Sequence, residues 1–406
     1  MKKQSPKIIN KKLFSIWRKE KLKNIAPLRG GFAFKSEKFQ NVGIPIVRIS
    51  NIRFDGTVGG VFEYYSKIIP DEKFVLKGRS LLLAMSGATT GKIALLTSEK
   101  EYYQNQRVGY FLNTGAVDYD FLSYVLQTKA FTNQLNAVLV AGAQPNISSK
   151  EIDSFEFCIS ESIEEQSAIG SLFRTLDDLI TSYKDNLANY QSLKTTMLSK
   201  MFPKTGQTVP EIRLDGFEDE WELLEINDLA DDFQSGGTPK TNVQEYWDGD
   251  IPWIQSSDLE TNCLFEIKVQ KSISEKGLKN SSAKIIPKDS IAVVTRVGVG
   301  KLAVMRHEYA TSQDFLSLSN LKSNIEFTAY LLYRLLQKEV TQLQGTSIKG
   351  ITKVELLSKK VHIPSLPEQQ AIGAYFSNLD QLITSYQEKI TQLETLKKKL
   401  LQDMFI

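Results

Sequence analysis

The chain is poor in the residues that build covalent or metal frameworks. Cysteine occurs twice, at Cys158 and Cys263, too few and too far apart for a disulfide framework or a four-cysteine zinc site. Histidine also occurs twice, at His307 and His362, with no Cys/His constellation around either. Each reads as a surface or core residue rather than a catalyst. No apolar run reaches the ~18 residues that a membrane span requires. Met-Lys-Lys-Gln-Ser-Pro at the start leads into no apolar h-region, so neither a secretory signal nor a membrane segment is expected, and the expected location is cytoplasmic. No Pro-Pro pair occurs, which excludes the Pro-Pro-Tyr or Pro-Pro-Phe motif of adenine methyltransferases.

What is present suits packed domains. The 406 residues are 41% hydrophobic and 24% charged, and at ~100–200 residues per domain they suggest two or three domains. Net charge is +3 overall, but residues 1–203 carry +8 and the remainder −5. A basic first half is compatible with nucleic acid. In the acidic second half, any such contact has to come from local patches.

The chain contains itself twice. Residues 165–202 align without gaps on residues 368–405, at an offset of 203, with 18 of 38 positions identical. The relation reaches outward at nearly constant offset: Pro6, Ile8, Trp17 and Ala26 match Pro210, Ile212, Trp221 and Ala230, and Gly91-Lys92 matches Gly300-Lys301. Such a repeat means two whole structural units, each a globular part followed by a helical part. Within the helical parts, Leu176, Ile180, Tyr183, Leu187, Tyr190, Leu193, Met197 and Met201 recur at steps of three or four. Leu379, Ile383, Tyr386, Ile390, Leu393, Leu396, Leu400 and Met404 do the same. This is one apolar stripe on a helix of roughly 25 residues, or ~38 Å. A shorter helix is expected before each, beginning near Glu165-Gln166 and Glu368-Gln369. The stripes are buried most simply against each other, as an antiparallel coiled coil with pseudo-twofold symmetry.

The globular parts read as mixed α/β, giving an α+β chain overall. Strands are expected at 44–49, 80–85, 251–255 and 290–295, with Gly-rich turns at Gly30-Gly31, Gly59-Gly60 and Gly236-Gly237, and helices at about 120–138 and 327–343. The expected segments are 1–158, 159–203, 204–361 and 362–406.

The stretches PEIRLDGFEDEWE (210–222), GGTPKTNVQEYWDGDIPWIQSSDL (236–259), SGATTGKIAL (86–95), IPSLPEQQAI (363–372) and LDQLITSYQEKITQLETLKKKLLQDMF (379–405) together resemble the specificity subunit of type I restriction-modification systems. The resemblance covers essentially the whole chain, in order and in duplicate. It implies two target recognition domains that read the halves of a bipartite, asymmetric site in double-stranded DNA, and helical regions that pair as a spacer. It also implies two docked methyltransferase subunits and, through them, two motor-nuclease (restriction) subunits. S-adenosylmethionine, ATP and Mg²⁺ then belong to those partners, and no cofactor, metal or catalytic residue is expected in this chain. A helix of ~38 Å is close to one DNA turn of ~34–36 Å, which fits a spacer.

Direct readout needs polar side chains aimed at base edges, while Lys and Arg hold phosphates. In the first unit the candidates are Lys35; Arg48, Ser50, Asn51 and Arg53; Ser86, Thr89, Thr90 and Lys92; and Asn105, Gln106 and Arg107. In the second they are Lys240; Gln255, Ser256, Ser257 and Asp258; Arg296 and Lys301; and Ser312, Gln313 and Asp314. Where the halves agree, as at Lys92 and Lys301 or Gln106 and Gln313, framework or phosphate roles are expected; where they differ, base specificity. Residues 1–12 are rich in lysine and read as a frayed tail or a phosphate clamp. Tyr64-Tyr65 and Tyr102-Tyr103 read as core or strand residues.

Two motifs invite other readings. Gly87–Ile93 is spaced unlike a phosphate-binding loop and has Ile93 where Ser or Thr must ligand Mg²⁺, so it is expected to be a tight turn between strands. Asp258, Glu266 and Lys268 could form a nuclease cluster, but the first unit has no matching lysine. A scaffold that binds protein rather than DNA is the other alternative.

Overall fold

The computed structural model describes residues 16–141, 146–343 and 350–405; the lysine-rich start of the chain and its repeat matches Pro6 and Ile8 lie outside them. Two compact units divide the chain: Met1–Tyr183 with Lys389–Ile406, and Lys184–Glu388.

Unit one carries β1 (Trp17–Lys21), α1 (Leu22–Ile25), β2 (Leu28–Arg29), β3 (Ile44–Val47), β4 (Glu63–Tyr65), β5 (Val75–Leu76), β6 (Ser80–Ala84), β7 (Ile93–Leu96), β8 (Tyr102–Gln104), β9 (Val108–Phe111), α2 (Tyr119–Val125), α3 (Lys129–Ala141), α4 (Ser149–Asp153), β10 (Glu156–Ser160) and the start of α5 (Ile163–Lys200). The rest of α5 opens unit two, which continues with β11 (Glu222–Glu225), β12 (Ala230–Ser235), β13 (Trp247–Ile254), β14 (Lys271–Ile273), α6 (Glu275–Lys279), β15 (Ser290–Val294), β16 (Leu302–Met305), β17 (Ala310–Thr311), β18 (Phe315–Leu321), α7 (Ile325–Leu343), α8 (Lys353–Leu357), β19 (Lys360–Ile363) and the start of α9 (Leu366–Met404).

The two units have the same plan. Unit one has sheets β2-β9-β6-β7, β4-β3-β8-β5 and β1-β10; unit two has β12-β18-β15-β16, β14-β13-β17 and β11-β19. In each, the second sheet contains a parallel pair, β3 with β8 and β13 with β17. Every residue of β6 and of β15 is buried. Leu81 and Leu83 of β6 join the helical core, while Leu82 and Ala84 join the core between the sheets. Covering both faces is why these strands are continuous apolar runs rather than alternating ones.

The helical parts depart from expectation in length. Each is one continuous helix, of 38 residues for α5 and 39 for α9, or about 57 Å at 1.5 Å per residue. No break separates a short helix from a long one, so the match of ~38 Å to one DNA turn does not hold. Gly170 and Gly373 stand where a break was possible, but their role is close approach. A Cβ on Gly170 would lie 2.7 Å from Phe121 N, and one on Gly373 would lie 2.7 Å from Asn324 Oδ1.

In both units α5 and α9 pack antiparallel. In unit one Phe173 lies 5.8 Å from Phe405 between ring centroids, while Asp177 pairs with Lys397 at 2.6 Å. In unit two Phe202 lies 6.1 Å from Phe376, Lys194 pairs with Asp380 at 2.5 Å, and Tyr190 lies 5.2 Å from Tyr386. Leu176 and Ile180 are buried with Leu393, and Leu379 and Ile390 are buried as well; Tyr183 and Leu400 pack on the same core at partial exposure. Leu187, Met197 and Ile383 are partly buried. Leu193 and Leu396, assigned to the stripe from their spacing, are 37% and 44% exposed. The neighbouring lysine turns inward instead in each helix, because it meets an aspartate there.

That meeting is a three-way joint, and it occurs in each unit. Tyr124 on α2 donates to Asp177 on α5 at 2.9 Å, and the ammonium of Lys397 on α9 lies 5.4 Å from the Tyr124 ring. Tyr330 on α7 donates to Asp380 on α9 at 2.8 Å, with Lys194 of α5 at 5.7 Å from its ring. Burial, and then the adjacent aspartate, push both tyrosine hydroxyls far above their ordinary pKa, so they remain donors. Gln166 accepts from Asp118 N and donates to Ser160 O; Gln369 accepts from Asn324 N and donates to Pro364 O. Trp17, Phe121 and Phe173 gather round Phe405, as Trp221, Phe327 and Phe376 gather round Phe202. Each unit is thus completed by the tail of the other repeat's helix.

Candidate nucleic-acid interface

In unit one, the loops after β3 and β6 and the turn between β8 and β9 share one edge. Asn105 N donates to Val47 O at 3.1 Å, Met85 N to Arg107 O at 2.9 Å and Phe32 N to Gln104 O at 2.8 Å. Unit two makes the equivalent closures: Ser312 N to Ile254 O at 3.0 Å, Thr295 N to Asp314 O at 2.7 Å and Gly237 N to Thr311 O at 2.8 Å. The double glycines admit this convergence, because a Cβ on Gly31 would stand 2.3 Å from Asn105 O and one on Gly236 would stand 2.0 Å from Thr311 Oγ1. All three matched residue sets from the sequence therefore come together, in both units. In unit two the same edge opens into a cleft of about 990 Å³ lined by Gly236, Arg296, Val297, Gln313 and Lys353 among others.

The individual side chains divide into outward and inward groups. Lys35, Ser50, Arg53, Gln106 and Arg107 are exposed in unit one, and Lys240, Ser257, Arg296 and Gln313 in unit two. Gln313 accepts from Thr238 Oγ1. Arg48, Thr90, Lys92, Asn105, Gln255, Ser256 and Asp314 are half-buried. Arg48 pairs with Glu63 at 3.5 Å, Thr90 Oγ1 donates to Gly87 O, and Asn105 Oδ1 accepts from Arg107 N.

Six candidates turn inward. Asn51 is 1% exposed; its Oδ1 accepts from Arg48 N and its Nδ2 donates to Gly59 O and Val61 O. Asp258, 8% exposed, accepts from Gln255 N in the matching turn. A short polar acceptor at the third position of such a turn satisfies its opening amide, so Asn51 and Asp258 shape the backbone and present no edge to a base. Asp258 is equally spent as a nuclease carboxylate. Lys301 donates to Ser256 O and Leu259 O at 3.3 and 2.7 Å, latching one loop to another rather than holding a phosphate. Its repeat partner Lys92 instead lies over the Phe54 ring, so the two agreeing lysines do different work. Ser86 and Ser312 are buried, and Thr89 Oγ1 is buried without a hydrogen-bond partner among the described residues. The Gly87–Thr89 segment is a single 3₁₀ turn closed by Gly91 N on Ala84 O at 2.8 Å. It is the tight turn between strands that its spacing suggested.

Sequence reasoning passed over Phe54, at the tip of the loop after β3, where Asp55-Gly56 was the available turn signal. Hydrogen bonds from the Thr57 hydroxyl and amide hold the Asp55 carboxyl below its usual range. It took Gln166 and Gln369 only as helix starts, and it passed over Lys194 and Gly170 as joint residues although identity with Lys397 and Gly373 marked them.

A profile described as the type I restriction modification DNA specificity domain matches this chain twice, over residues 15–189 and 218–395. The chain belongs to that family. Among relatives, it is 21% identical over 399 residues to a putative type I restriction enzyme MjaX specificity subunit of Methanocaldococcus jannaschii, covering 95% of this chain and 92% of the relative. It is 29% identical over 194 residues to the MjaIX specificity subunit of the same organism, an alignment spanning 46% of this chain and 44% of that protein. Among solved structures, a type I restriction-modification S subunit from M. genitalium has the same fold, with a TM-score of 0.62 at 16% identity and 99% coverage of both chains. Within the described residues no helix is long and apolar enough to cross a membrane.

Proposed function

We propose that the chain is a non-catalytic specificity subunit that reads a bipartite, asymmetric DNA site, one half-site per unit. In this reading it docks two methyltransferase subunits, through which two motor-nuclease subunits join for restriction. Adenine methylation with S-adenosylmethionine, and ATP and Mg²⁺ chemistry, belong to those partners. The observation that carries the reading is a contrast within the repeat: the two units share sheet order and helix joints but present different side chains on the gathered loop edge. Equal frames with unequal edges suit two unlike half-sites. On this reading the exposed Lys35, Arg53, Arg107, Lys240 and Arg296 meet phosphates, Ser50 and Ser257 meet base edges, and Gln106 and Gln313, on which the halves agree, serve the framework or a phosphate.

The test is methylome sequencing of a host expressing this chain with its neighbouring methyltransferase gene, against a deletion of this chain. The expected result is a split motif, methylated on an adenine of each strand, only when the chain is present. Swapping residues 15–155 for those of a relative changes one half of that motif alone. Removing matched turns from α5 and α9 changes the unread gap and leaves the half-sites unaltered. An identical methylome with and without the chain, together with no salt-dependent duplex binding, would sink the reading.

A further inference from the structure

Phe54 is held out from the reading edge of unit one. Its side chain is 91% exposed, yet the turn beneath it is fastened on every side. Ile52 bridges to Val58, Arg53 N donates to Thr57 O at 3.0 Å, and Gly56 O accepts from Leu95 N of β7 at 2.9 Å. Asp55 Oδ1 accepts from both Thr57 N and Thr57 Oγ1, at 2.9 and 2.6 Å, while Gly56 takes a φ of +80°. A loose loop would fold an aromatic ring back onto its own domain; this turn prevents it. The Lys92 ammonium stands 2.9 Å from the ring centroid. It caps one face with a cation and leaves the edge and the other face open. The corresponding stretch of unit two has Thr261 at this place, and its nearest aromatic, Phe265, packs on Tyr330.

The major groove offers one apolar mark, the C5-methyl of thymine, and side chains including Phe contact it. A wedge between base pairs would instead need both ring faces, and Lys92 occupies one. We infer that Phe54 is an apolar base reader of unit one, packing on the methyl group of a thymine in its half-site while Lys92 stays on the ring face and Arg53 meets a phosphate. This rests on the DNA-reading proposal above, and it adds a specificity-determining residue that unit two does not have.

The experiment measures binding of the full chain with its methyltransferase partner to duplexes in which each thymine of the motif is replaced, one at a time, by deoxyuridine. In the wild type, one replacement in the half-site of unit one weakens binding about fourfold, the worth of one buried methyl, and Phe54→Ala changes the response to no replacement in the other half-site. Phe54→Ala weakens binding to the unmodified site and erases the sensitivity to that methyl; Phe54→Leu retains it. Phe54→Ala binding as tightly as the wild type, or still sensing the same methyl, overturns the inference, as does 2-aminopurine fluorescence reporting an unstacked base step that depends on Phe54. If the wild type prefers no split sequence over random duplex, it is the DNA-reading proposal itself that has failed.

Discussion

The helix joints and the loop edges of this protein descend from the same duplication and have met opposite fates. At the joints, Asp177, Lys194, Gln166 and Gly170 are repeated as Asp380, Lys397, Gln369 and Gly373, and each pair makes the same contacts. At the edges, Arg53, Phe54 and Arg107 face Glu260, Thr261 and Asp314 in the corresponding places of unit two. The difference lies in how many partners each residue must satisfy. A joint residue is held against the domain of its own repeat, as at Gln166 and Gly170, or against the other repeat's helix as well, as at Asp177 and Lys194, so changing it disturbs more than one element. An edge residue points outward from a loop whose shape is set by others, such as Asn51, Asp258 and Lys301, and can change without unfolding anything.

The joints themselves are not equal, and substitution at them should have the largest effects. The Lys194 and Asp380 side chains are 10% and 18% exposed, against 20% and 39% for Lys397 and Asp177. Removing one partner of a buried pair strands the other charge, so Lys194→Met is expected to cost about 3 kcal/mol of stability. Lys397→Met, in the wetter joint, should cost about 1 kcal/mol. Chemical denaturation of the two variants checks the order, and equal losses would mean that burial does not set the strength of the joint.

Gly170→Ala and Gly373→Ala fall between the two lysine variants. The added methyl meets backbone or a capping side chain under 3 Å away, and overpacking of this kind costs about 2 kcal/mol despite the better helix propensity of alanine. At Gly30 a Cβ meets nothing within 4 Å, so Gly30→Ala should stay within about 0.5 kcal/mol. Thermal melts of the three variants decide the point: a Gly170→Ala protein as stable as the wild type would show that α5 can move off α2.

The smallest stability effects belong to the outward edge. Arg107→Ala should shift unfolding by less than about 0.5 kcal/mol, yet lower the slope of log binding constant against log salt by about one. Asn51→Ala should do the reverse, losing about 1 to 2 kcal/mol through three unmade hydrogen bonds with no direct change in the salt slope. If Arg107→Ala leaves the slope untouched, that arginine is not on a phosphate.

Much of this was legible in advance because the repeat could be compared with itself. The strands at β3, β6, β13 and β15 followed from apolar runs between turn signals, and the three matched loop sets proved to be neighbours in space. The helix lengths were misread because the apolar stripe starting at Leu176 and Leu379 was taken as the start of a separate helix, whereas the segments ahead of it, from Ile163 and Leu366, run on into the same helix. Leu193 and Leu396 were assigned to the buried stripe because three- and four-residue steps fit the period equally well at that turn. Only the position of Asp380 and Asp177 makes lysine the inward residue. Asn51, Asp258 and Lys301 looked like base and phosphate readers because nothing local distinguishes a polar side chain pointing at solvent from one closing a turn.

The sequence by itself determined the duplication, the mixed sheets, the pairing of two long amphipathic helices and the family. All of these rest on periodicity and identity, which are properties of the chain read in order. Tertiary structure alone decided which polar residues face outward, which lysine is buried, and that each unit is closed by the tail of the other repeat's helix. The helix joints depend on contacts about two hundred positions apart, Lys194 with Asp380 and Asp177 with Lys397. Even the short-range turns at Asn51 and Asp258 depend on backbone geometry that residue order does not display. A hydrogen bond or a steric limit acts on distance in space, not on distance along the chain.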